Sequence, residues 1–178
     1  MFRFFGVVIV LYFIISLLVM FKLAKGFNIK KNTVSDLARY KKVTAYFMVF
    51  SFCSTVCQLF FIYYLYSFYS YMISSTLFLP LFLLSSLFLL IISLFPVNRF
   101  PQIHGDSVIV ACLLTVLTFL FLAYSLLNVH YILSILLMLA TLLIPLVLLF
   151  RKKFHSYYWE LLIFLVVVFW DVSLALYL

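Results

Sequence analysis

Between Lys42 and Arg99 the chain carries no charged side chain at all. Nothing else in the sequence constrains the fold so strongly. A soluble domain has roughly one charged residue in four. Here charged residues are 9% of the chain and hydrophobic ones 69%, more apolar surface than a water-soluble chain of 178 residues can hide. The solvent for most of that surface is therefore lipid. In hydrocarbon every backbone N–H and C=O must be bonded within the protein, which leaves helices or a closed barrel. The apolar runs are continuous and lack the period-two alternation of barrel strands, so helices are expected.

A crossing helix needs about 20 mostly apolar residues. The charge-free stretch is too long for one crossing and right for two. The polar, tyrosine-rich patch YSFYSYMISS (66–75) supplies the turn and the interfacial tyrosines. The run Phe4 to Phe21 makes one span. NVH (128–130) divides Ser107 to Phe150 into two, and Leu161 to Leu178 makes the last. The expectation is an all-α polytopic integral membrane protein. It is a bundle of six transmembrane helices near 4–23, 43–66, 72–95, 107–127, 131–150 and 157–177, in a single domain over 1–178. The first run is longer than a signal-peptide core and has no small-residue cleavage site after it, so it is read as a retained span.

The net charge is +8. With six spans, loops 1–2, 3–4 and 5–6 hold Lys22, Lys25, Lys30, Lys31, Arg39, Lys41, Lys42, Arg99, Arg151, Lys152 and Lys153. The opposite side holds only Arg3, a split of eleven to one among the twelve cations. The positive-inside rule puts these loops in the cytoplasm and both termini outside, with the chain in the cell membrane. Cations beside membrane-length runs point to anionic lipid headgroups as partners rather than nucleic acid. Lys30, Lys31, Lys41, Lys42, Arg99, Arg151, Lys152 and Lys153 are the expected headgroup contacts.

Polar chemistry is scarce enough to enumerate. Helices 2, 4 and 6 all begin at the basic side, and each start carries a capping residue or an acid: Ser35 and Asp36, Asp106 and Ser107, Ser156 and Glu160. Singly these are caps. Together, Ser35, Asp36, His104, Asp106, His155 and Glu160 share one side of the membrane and form the candidate catalytic set of a lipid-modifying or metal-dependent enzyme. No metal-ligand spacing such as H-E-x-x-H is present, and neither a metal nor another cofactor is expected. Cys53, Cys57 and Cys112 lie in apolar runs and are read as small fillers. In the stretch FPVNRFPQIHGDSV (95–108), Pro96 and Pro101 should hold the connection extended and Gly105 should turn it. That leaves His104 to pair with Asp36.

Asp171 sits within the last apolar run. An intramembrane acid is costly and usually faces the bundle interior or water. Its expected partners are polar groups of the outer half, with His130 the one titratable candidate; the alternative is a helix-end acid that reaches out to the interface. With Pro80 and Pro145 as possible kinks and Gln58 as a cross-helix donor, Asp171 suits a small transporter. The leading expectation is a membrane protein of unassigned, non-enzymatic activity with a basic face toward headgroups.

TVSDLARYKKVTAYFMVFSF (33–52) and LFPVNRFPQIHGDSVIVA (94–111) resemble the prokaryotic membrane family called domain of unknown function 998. In that family a Ser-Asp-Leu stretch follows helix 1, a Phe-Pro ends helix 3 and a histidine precedes helix 4. The matching positions are Ser35, Asp36, Leu37, Phe95, Pro96 and His104. The resemblance implies a multi-spanning helical fold and a recurring association of loops 1–2 and 3–4. It implies no activity.

Overall fold

The computed structural model describes residues 4–28, 31–69, 75–150 and 156–177. The described residues form six α-helices and one short 3-10 turn, with no strand. The helices are α1 (Phe5–Leu23), α2 (Lys41–Tyr69), α3 (Ser75–Leu94), α4 (Pro101–Leu126), α5 (Tyr131–Phe150) and α6 (Ser156–Tyr177), and the turn, Ser35–Arg39, lies between α1 and α2. Five helices are long and apolar enough to cross a membrane. In α3 the apolar stretch among described residues is Phe78–Leu94. The chain is a multi-pass helical membrane bundle.

Each helix packs on its neighbours in sequence, and α1 closes on α6. Apart from the stretch 24–40 between α1 and α2, the connections are short, neighbours run antiparallel, and the result is a ring of six. Large apolar side chains such as Leu18, Leu87, Leu139 and Leu149 are exposed on its outside. A patch of that extent belongs against lipid.

Two packed clusters sit toward opposite ends. One joins Phe61, Leu65, Phe78, Leu122, Leu137 and Trp170. There the Trp170 ring stacks on Phe119 at 4.3 Å and its Nε1 donates to Thr141 Oγ1 at 2.9 Å. The other joins Leu17, Met20, Leu37, Val43, Phe47 and Phe50, with Val97 and Leu161 packed against it. Loops 1–2 and 3–4 and the start of α6 therefore converge at one end. The cations described there, Lys22, Lys25, Lys31, Arg39, Lys41, Lys42 and Arg99, are all exposed. Lys30, Arg151, Lys152 and Lys153 lie outside the described residues.

Several hydroxyls inside the ring are satisfied locally. Thr55, Ser93, Thr118 and Thr141 each donate to the carbonyl four residues back, which conceals a polar group in a helix without a partner helix. Other links run between helices: Ser85 to Thr115, 2.9 Å between hydroxyls, Ser134 Oγ to the carbonyl of Ala123, and the Tyr46 hydroxyl to Ser16 Oγ at 3.5 Å.

The expected start of helix 4 is corrected. It begins at Pro101, not Ser107. Proline lacks only an N–H that the first turn leaves unpaired anyway, and its fixed φ suits a helix start. Phe100, just before it, is the non-helical residue, at φ −135°. Pro101 thus initiates α4 rather than extending the loop. Gly105 does not turn the chain; it lies within α4, and the one positive φ among described residues belongs to Gly26, at 86°. Pro80 and Pro145 lie inside α3 and α5, both of which continue through them.

Candidate functional site

Between the two packed clusters the ring holds a partly open cavity of about 210 Å³. An apolar cavity of about 150 Å³ is enough to admit benzene. Every helix contributes to the wall: Phe13 from α1, Phe50 and Ser54 from α2, Ile92 from α3, Thr115 from α4, Ile144 from α5 and Val167 from α6. The lining is mainly apolar. Its polar exceptions are Ser35, Ser51, Ser54, Thr55, Gln58, Thr115 and two carboxyl groups, Glu160 and Asp171.

Both acids come from one face of α6. Eleven residues at 3.6 per turn is close to three full turns, so the two point the same way, roughly 16 Å apart along the axis. Their surroundings differ. Glu160 is 8% exposed, and Ser35 meets it from the 3-10 turn. The Ser35 backbone N–H donates to Glu160 Oε2 at 3.0 Å, and its hydroxyl donates to Oε1 at 3.2 Å. Burial of Leu37 and Ala38, both fully enclosed, fixes the turn over that end of the cavity. Asp171 is 3% exposed, and its Oδ2 has no hydrogen-bond partner among the described residues. The Ser54 hydroxyl is likewise buried without one.

Asp171 also marks a close approach of α1 to α6. A Cβ placed on Gly6 would stand 2.8 Å from the Asp171 carbonyl oxygen. Only a residue without a side chain lets the ring close there.

The sequence-based candidate set separates. Ser35 and Glu160 come together, although as a cross-link between loop 1–2 and α6 and not as independent caps. Asp36 does not cap α2. It accepts from the Thr33 N–H at 2.8 Å while its own N–H donates to Thr33 Oγ1 at 3.2 Å, a reciprocal box that starts the 3-10 turn. Its other oxygen takes Arg39 Nε at 2.7 Å. The expected His104–Asp36 hydrogen bond is not made. His104 is buried in the first turns of α4, where its Nδ1 donates to the Phe95 carbonyl at 3.0 Å and its Nε2 has no hydrogen-bond partner among the described residues. The early start of α4 is the reason: it turns the imidazole back onto the end of α3. Asp106 is exposed on α4, beyond its first turn, so it neither caps the helix nor joins a site. His155 lies outside the described residues. Among those described, no three His, Cys, Asp or Glu side chains gather as metal ligands would. Asp171 is not hydrogen-bonded to His130; it faces the cavity instead.

Sequence reading singled out both acids but not the space they share. Ser54 and Thr115 carried no signal, because a lone hydroxyl in an apolar run reads the same whether it faces a cavity, a helix or lipid. No family model matches this chain, and no match is found among curated proteins or solved structures.

Proposed function

We propose that this chain is a small carrier of the cell membrane, six-spanning, that holds a mainly apolar solute in its central cavity. One observation supports the reading above all: a cavity walled by all six helices, between packed clusters, with carboxyl groups at two levels. Such a mainly apolar space with a few placed polar groups is the usual form of a small-molecule site. The Ser35–Glu160 cross-link lines the basic end. The enzyme reading has less support, since His104 is turned onto a carbonyl and Asp36 is engaged by Thr33 and Arg39.

The test uses the full chain in nanodiscs with a small aryl probe such as ethylbenzene. A ligand at a hundredfold its Kd stabilises the folded form by about 2.7 kcal/mol, so the thermal midpoint should rise with probe concentration. Ser54→Phe fills the cavity and removes an unbonded hydroxyl. It should keep the fold and lose the shift. An equal shift in wild type and Ser54→Phe would refute the cavity as the site.

A second reading concerns the basic end. Lys22, Lys25, Lys41 and Lys42 surround a surface pocket of 270 Å³ beside Tyr40. Anionic headgroups fit it, at about 1 kcal/mol per cation near the surface, screened by salt. Charge reversal at Lys22, Lys25, Lys41 and Lys42 should deplete co-purifying anionic lipid. Unchanged lipid composition counts against this contact.

A further inference from the structure

We infer that the solute held in the cavity carries one cationic nitrogen, and that Asp171 is its counter-ion. The inference rests on the proposed cavity site and adds the chemical class of the ligand, a small lipophilic amine.

The two acids of the cavity are not equivalent. Glu160 already receives two donors from Ser35. Asp171, 3% exposed and lining the same space, has an oxygen with no donor. A buried polar atom without a partner is uncommon and calls for an explanation. A carboxylate in an apolar setting is costly unless a cation and hydrogen bonds accompany it. The chain offers no such cation among the described residues. Lys22, Lys25, Lys31, Arg39, Lys41, Lys42 and Arg99 are exposed at the basic end, the end at which Glu160 lies, and Asp171 is roughly 16 Å deeper. The described histidines are engaged elsewhere or not bonded to it. A cationic nitrogen on the ligand would supply the missing partner.

The rest of the wall fits the rest of such a molecule. Beside Asp171 the space is bounded by Ile9, Val167 and Val168, and farther along by Phe13, Phe50 and Phe164. An ammonium on Asp171 would leave an alkyl or aryl body against these side chains. Phe13 lies 4.6 Å from Phe164 and 5.8 Å from Phe50, ring centre to ring centre, which makes an aromatic surface for a flat body. The 210 Å³ volume limits the ligand to a few carbons more than one ring.

The experiment compares three probes of one shape: phenethylamine, 2-phenylethanol and ethylbenzene. Binding to the full chain in zwitterionic nanodiscs is measured by calorimetry, with an empty-disc control to remove partitioning into lipid. Wild type should bind the amine at least about tenfold tighter than the alcohol, as charge-assisted bonds exceed neutral ones. Asp171→Asn should bring amine and alcohol to similar affinity while the alcohol still binds. Asp171→Glu should restore part of the preference, and Glu160→Gln should retain it. Equal binding of all three probes by wild type, or an amine preference surviving in Asp171→Asn, would overturn the inference and leave the cavity reading standing. Absence of binding by every probe, or binding unaffected by Ser54→Phe, would overturn the cavity reading itself and the inference with it. If Asp171→Asn does not fold, as judged by helical circular dichroism, the wild-type comparison of amine with alcohol still decides.

Discussion

Ser35 binds Glu160 through both its backbone N–H and its hydroxyl, so the pair should behave as a unit. Ser35→Ala removes one donor from a buried carboxyl group, which typically costs about 1–3 kcal/mol. Glu160→Gln in the same background should cost less than the sum of the separate changes. A double-mutant cycle scored by thermal stability measures that coupling; additive effects would mean the two do not meet. The opposite outcome is expected for His104→Ala and Asp36→Asn. Each loses its own local bonds, to the Phe95 carbonyl and to Thr33 and Arg39, so the two should add to within about 0.5 kcal/mol. His104→Ala alone should still be destabilising, because it leaves the carbonyl at the end of α3 without that donor.

At the scale of elements, two glycines differ in what they do. Gly105 sits in α4 with open space where a Cβ would go. Gly105→Ala should raise stability by about 0.5–1 kcal/mol, since glycine in a helix costs that much relative to alanine. Gly6→Ala should lower it by about 1–3 kcal/mol, the usual penalty of overpacking. The clash is with backbone, the Asp171 carbonyl, so relief requires α1 and α6 to part. Thermal denaturation of both variants checks the signs. Gly6→Ala should also weaken amine binding, because the same displacement moves Asp171.

For the whole molecule the directional prediction is topological. Eleven of twelve cations lie in loops assigned to one side, and those described cluster at one end of the ring. Single cysteines at Lys31 and Arg151, in a background with Cys53, Cys57 and Cys112 replaced by alanine, should resist a membrane-impermeant thiol reagent in intact cells. A tag after Leu178 should be accessible. Labelling of both loop positions from outside would reverse the orientation.

Composition and run length determined by themselves that this is a helical membrane bundle, and nearly where each helix lies. The reason is that lipid admits few solutions: charge-free runs of crossing length must be helices, since nothing else satisfies their backbone there. Span ends were legible to within a few residues except at α4, where Pro101 served as an N-terminus rather than a breaker, since its missing N–H falls where the first turn has no acceptor for one. Asp171 and Glu160 were conspicuous as acids, but their common cavity was not. That space exists because α1 closes on α6 across Gly6, a contact between the two ends of the chain that no local pattern encodes. Ser35 likewise read as a helix cap; its pairing with Glu160, 125 residues away, was decided only when the ring brought loop 1–2 over the start of α6.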